Sequence, residues 1–155
     1  MTAGIGAAHA GWAAAAARGV SCDRDLLEIL LAAHGELTAA TTTQVTELRA
    51  LLLGGDTADR SIARSSLSNT TVLRLVRRRA PHEHSPERVT RAADIQRLAR
   101  MVSGYRNELA ANRDQLATLV NELAPGLIAQ PGLGPVTAAK IILNSVRATR
   151  RDTGT

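Results

Sequence analysis

The 155-residue sequence predicts an all-α chain: a long antiparallel helical hairpin of coiled-coil type, a small helical insert, and a C-terminal helix-hairpin-helix. Three observations predict it. Hydrophobic residues reach 45% while aromatics are 1% and Phe is absent, so the apolar content is Ala, Leu, Val and Ile, which suits helix packing. An apolar three-four repeat runs unbroken for roughly four heptads in the second half. Glycine and proline signals fall at the ends of the periodic segments.

Residues 1–21 are expected to be a poorly ordered Ala-rich segment. They lack a basic leader region, and Gly4, Gly6, His9, Gly11 and Trp12 break the apolar run, which argues against a signal peptide. Residues 22–124 are expected to form the coiled-coil hairpin. Its first arm spans Cys22 to Leu53, with Asp23 and Asp25 near the positive helix end and Gly54-Gly55 as the stop signal. Leu27, Leu30, Leu37, Leu48 and Leu51 make a three-four alternation when His34, Thr41 and Gln44 fill the gaps, and the Thr41 to Thr43 run lowers helix propensity mid-arm.

The insert covers residues 56–80, where Asp56 to Asp59 and Ser65 to Asn69 read as turns or caps around short helices. The best of these is Thr70 to Arg79, with Val72, Leu73 and Val76 on one side. After a loop, Ser85 as N-cap and Pro86 at the first helical position start the second arm, which should run to about Ala124. Its stripe is Ile95, Leu98, Val102, Tyr105, Leu109, Asn112, Leu116, Leu119 and Leu123. One hairpin would leave part of this stripe exposed, so it is expected to act as an oligomer seam, with a buried Asn112 setting register.

The net charge is +5, the pI is near 10.9, and Lys140 is the only lysine. That balance suits a polyanionic partner, although the Arg bias also follows from GC-rich coding. Arg77, Arg78 and Arg79 are candidate basic contacts, and a solvated helix end is an equal alternative. Cys22 alone excludes an internal disulfide and a multi-cysteine zinc site and fits a reducing, cytoplasmic setting. No uncharged apolar run of about 18 residues exists, so no membrane-spanning helix is expected. His82-Glu83-His84 has no second ligand pair and Ser65, Ser66 and Ser68 have no paired base, so neither a metal site nor a catalytic residue is assigned.

The stretch with the most chemistry lies in residues 125–148, the expected helix-hairpin-helix; residues 149–155 are expected to be a disordered tail. Within it, Gly132-Leu133-Gly134 reads as a turn between two short helices. Gly132 and Gly134 permit backbone angles closed to other residues and close approach to a phosphate, and Leu133 should plug the core beneath. Pro135 suits the first position of the second helix, whose free amides at Val136 and Thr137 favour an anion. Ala138 and Ala139 allow close helix crossing, and Lys140 adds a charge. Such a grip reads phosphate rather than base sequence. A Gly-Pro turn that merely joins two packing helices is the alternative.

Over roughly Leu26 to Val146 the sequence resembles the IS-one-ten group of insertion-sequence transposases, the DEDD transposases. The resemblance rests on Leu26 to Ala33, on Gln44 to Leu53, on Leu73 to Arg79, and on Leu123 to Leu127 running into Pro131 to Ala139, the most specific part. It implies a RuvC-like nuclease domain with four metal-binding acids, a coiled-coil region, and a C-terminal transposase domain with a catalytic serine, acting on DNA under a structured guide RNA as dimers or tetramers. The chain covers the coiled-coil region and the start of the C-terminal domain, so no catalytic residue of the family transfers to a position here, and Mg²⁺ belongs to the nuclease domain alone. The expectation is a truncated transposase that keeps DNA or structured-RNA binding and homo-oligomerisation, or co-assembly with an intact transposase, without catalysis. A purely structural coiled-coil protein and a regulator that poisons an intact transposase are the alternatives.

Overall fold

The computed structural model describes residues 4–82 and 85–152, with side chains described from Cys22 to His82 and from Ser85 to Arg151. The described residues are all-helical: α1 Gly4–Leu53, α2 Thr57–Arg64, α3 Asn69–Val76, α4 Pro86–Leu123 and α5 Pro135–Asp152. The chain divides into two compact units, Met1–His34 with Ala111–Thr155, and Gly35–Ala110. Each has its own apolar cluster.

Helix α1 starts at Gly4, well before the Cys22 start expected from the apolar pattern. The physical reason is the alanine run from Ala13 to Ala17, whose helix propensity needs no amphipathic stripe to express itself. The threonine run does not break the helix; its hydroxyls, and that of Thr46, each donate to a carbonyl one turn back: Thr41 to Leu37, Thr42 to Thr38, Thr43 to Ala39 and Thr46 to Thr42, at 2.6 to 3.1 Å. It ends at Leu53 as predicted, with Gly54 and Gly55 closing the last turn.

In the Gly35–Ala110 unit, Leu48 and Leu52 of α1 meet Ala63, Leu67, Val72, Leu75, Ile95, Leu98, Ala99 and Val102 in one buried cluster. Asp56 caps α2 by accepting the Asp59 N–H at 2.9 Å. Asp59 itself is buried and takes Arg78 Nη1 at 2.6 Å, so a charge from beyond α3 balances the carboxylate inside the insert. Gly55 makes room for it: a Cβ there would lie 2.8 Å from the Asp59 Cβ. Ser68 caps α3 through the Thr71 N–H, and α3 is shorter than the expected Thr70 to Arg79 because Arg77 already caps its end. Gln96 of α4 donates to the carbonyls of Val76 at 3.2 Å and Arg78 at 2.6 Å, which takes up acceptors that a helix end leaves open.

In the other unit, Leu27 of α1, Leu116, Leu119 and Val120 of α4, and Ala138, Ala139 and Leu143 of α5 form the cluster. Asn112 sits beside it, 5% exposed. Its Nδ2 donates to the Leu30 carbonyl at 2.9 Å and its Oδ1 accepts from His34 Nδ1 at 3.2 Å. The expected oligomer seam is therefore used within one chain: Ile95, Leu98 and Val102 lie in one cluster and Leu116 and Leu119 in the other, while Asn112 bonds to α1. Leu123 packs against the second cluster, and Tyr105 and Leu109 are half-buried. Much of the stripe is thus covered by residues of the same chain, α1 among them.

Two outcomes test these contacts. Asn112→Ala should lower stability by about 2 kcal/mol in a denaturant titration, because it removes the bonds to the Leu30 carbonyl and His34 Nδ1 and leaves a small void. The Asp59 N–H bond and the Arg78 and Arg88 charges hold the Asp56 carboxyl below the usual carboxylate range, against partial desolvation. Its folded pKa is the lower one, so its stabilisation is complete above the ordinary carboxylate pKa and lost as pH falls through the folded value. Thermal melts at descending pH should show that loss, and Asp56→Asn, an uncharged cap, should flatten it.

Candidate nucleic-acid interface

The site is built where α4 gives way to α5. Two prolines and three glycines fall between Leu123 and Pro135, and they decide the local structure. Gly126 takes φ +84° and Gly132 φ +81°, both in the left-handed region that favours glycine. Pro131 offers no amide and would clash with the carbonyl four residues back in a helix. Too few residues remain between Gly126 and Pro131 to nucleate one.

Residues 124–134 accordingly form a chain of turns, each closed three residues back: Leu127 N–H to Ala124, Ala129 to Gly126, Gln130 to Leu127 and Leu133 to Gln130, at 3.2 to 3.3 Å. The expected first helix of the helix-hairpin-helix is thus a run of turns, and only its second helix forms. That helix is longer than expected. It runs to Asp152, so residues 149–152, assigned above to a disordered tail, belong to α5, with Thr149 Oγ1 donating to the Ser145 carbonyl at 3.0 Å.

The turn is on the surface. Pro131, Gly132 and Gly134 are exposed, and a Cβ at either glycine would meet nothing within 4 Å. Leu133 is only half-buried; Leu127 and Ile128 pack against the apolar cluster where Leu133 was expected to plug it. Gly134 does not adopt a positive φ, so only Gly132 demands glycine on conformational grounds.

The first inward bond of α5 is Ala138 N–H to the Gly134 carbonyl at 3.0 Å, which leaves the Val136 and Thr137 amides ahead of the helix ladder. Gly134 has no side chain to cap them. The Val136 side chain packs inward, so any contact it makes with a ligand runs through its backbone. Thr137 and Lys140 are exposed and one turn apart on α5. Ala138 and Ala139 are fully buried, which is the close crossing their size permits. Further along α5, Arg147 lies 3.8 Å from Glu28, and Arg150 and Arg151 stand in the last turn, where they favour the helix dipole.

Arg77, Arg78 and Arg79 belong to the other unit and do not act alike. Arg78 is committed to Asp59, so its role is structural, while Arg77 and Arg79 are exposed. Leu73, expected on the inner side of α3, is 41% exposed, and Arg74 beside it is exposed as expected. Leu75 takes the buried place expected for Leu73, while Val72 and Val76 face the cluster as expected. His82-Glu83-His84 falls partly outside the described residues. Among the described residues no group of three or more His, Cys, Asp or Glu is placed to hold a metal, and no helix is long and apolar enough to cross a membrane. Cys22 is exposed.

No protein-family model matches the chain, and no curated protein or solved structure matches it.

The two turn glycines should respond differently to substitution. Gly134→Ala should leave thermal stability within about 0.5 kcal/mol, whereas Gly132→Ala should cost about 1 kcal/mol from its left-handed backbone, measured by paired denaturant titrations.

Proposed function

We propose that this chain is a non-catalytic nucleic-acid-binding module that grips phosphate through the Gly132-Leu133-Gly134 turn, the Val136 and Thr137 amides and Lys140. The observation that carries the reading is the exposure of the turn: two glycines with open space around them lead directly into a capless helix start, with a cation one turn on. Anions gather at such ends because the amides and the helix dipole point the same way. Backbone contact of this type is indifferent to base sequence and sensitive to salt. The sequence resemblance to IS-one-ten transposases supports reading the module as one of DNA transposition that recognises DNA or a structured RNA.

A structural reading has one observation in its favour. Much of the α4 stripe is buried within the chain, which weighs against co-assembly with an intact transposase through those residues.

Fluorescence anisotropy with a labelled duplex separates the two readings. Binding should weaken with added salt, log K falling by about 0.9 per phosphate contact for each unit of log salt. Gly134→Val, bulky at a position where the fold has room, should weaken it several-fold. Binding that ignores both salt and this variant would leave the structural reading.

A further inference from the structure

The chain's positive charge is concentrated away from the α5 turn. Between Arg60 and His82 there is no acidic residue and there are six arginines, Arg60, Arg64, Arg74, Arg77, Arg78 and Arg79. Six exceeds the net charge of +5 for the whole sequence, so the rest of the chain carries no positive excess. Folding leaves this excess largely unspent. Arg78 pairs with Asp59 and Arg60 Nε donates to the Gly55 carbonyl, but Arg64, Arg74 and Arg77 pair with no acid among the described residues.

Helix α3 sorts these residues by face. Val72 and Leu75 are buried with α1 and α4, which turns Thr70, Leu73, Arg74 and Arg77, spaced at three, four and seven, to the outside as one stripe. An open groove of about 490 Å³ runs along it, lined by these four residues and Arg78. Leu73 is the feature that simple charge does not explain. A large apolar side chain stays 41% exposed among cations.

We propose that α3 is a recognition helix for duplex DNA, set in the major groove with Arg74 and Arg77 reaching phosphates or guanine edges and Thr70 and Leu73 facing base methyls. Two short helices, α2 and α3, joined by residues 65–68, are the element order of a helix-turn-helix, in which the second helix reads. The mixed stripe fits B-form DNA, whose major groove admits a helix and presents both acceptors and a thymine methyl. An A-form RNA duplex closes that groove to side chains and leaves Leu73 without a use. The surface lies on different residues and a different unit from the glycine turn, so either assignment stands without the other.

The test is anisotropy of the full chain with a labelled 20-base-pair DNA duplex and an RNA hairpin of matched charge, comparing the wild type, R74A/R77A and Gly134→Val. Both arginines are exposed, and circular dichroism checks that the double variant keeps its helices. The expected result is at least a tenfold loss of duplex-DNA affinity in R74A/R77A, with the log K against log salt slope reduced by about two, since each lost phosphate contact removes about 0.9. Leu73→Ala should compress the spread of affinities among duplexes of different sequence. Unchanged DNA affinity and slope in the folded R74A/R77A variant would overturn the assignment. So would an equal loss on the RNA hairpin, which would make the face a general backbone binder. Loss confined to Gly134→Val would overturn it too, while leaving the turn's role intact.

Discussion

A buried amide holds the Met1–His34 and Ala111–Thr155 unit in register. Asn112 has four hydrogen-bonding sites in a place that water does not reach, and an unpaired polar group there costs more than most single apolar contacts return. It is satisfied because α1 presents the Leu30 carbonyl and the His34 ring nitrogen one turn apart. A slide of either helix by one turn would break both bonds, whereas leucine against leucine would tolerate it. The positions of Leu27, Leu116 and Leu119, and through them the seat of Ala138 and Ala139 under α5, follow from that register.

In the Gly35–Ala110 unit the same role falls to charge. Asp59 is buried at the start of α2, and its partner arrives from beyond α3. The pair ties the start of α2 to the segment that follows α3, beside the apolar contacts of Ala63, Val72 and Leu75. Neither helix has the length to be stable in isolation. Gly55 is part of this arrangement, because the carboxylate leans into the space where any other residue would carry a side chain.

Much of this was legible in the sequence, and the rest fails to be for identifiable reasons. The all-helical class, the stop at Gly54, the Ser85-Pro86 start and the buried Asn112 in the α4 stripe are local or periodic signals, and local chemistry carries them. Who covers the stripe is not local: a repeat at three and four says that a helix will be buried, not whether the covering residues belong to the same chain, and here they are Leu27, Leu48 and Leu52 of α1. The Asp59–Arg78 and Gln96–Arg78 contacts join residues 18 to 19 apart, beyond any pattern window. The first helix of the expected C-terminal pair was read from apolar residues whose spacing suits a helix. Pro131 and Gly126 overrule that spacing, and Leu127 and Ile128 reach the cluster from turns. The Gly132 turn and the helix start at Pro135 are local signals, whereas a basic run does not reveal which member has an acid waiting, and here it is Arg78 that meets Asp59.

Gln96 has a consequence for how this fold can vary. By holding the carbonyls of Val76 and Arg78, it fixes the exit of α3 from a neighbouring helix and not from the chain that follows. Beyond Arg78, the connection into α4 is thereby relieved of much of the duty of aiming α3. Residues can be added to or removed from that connection, and a tag or a second domain spliced into it, with the arginine-bearing face still pointing where it does now.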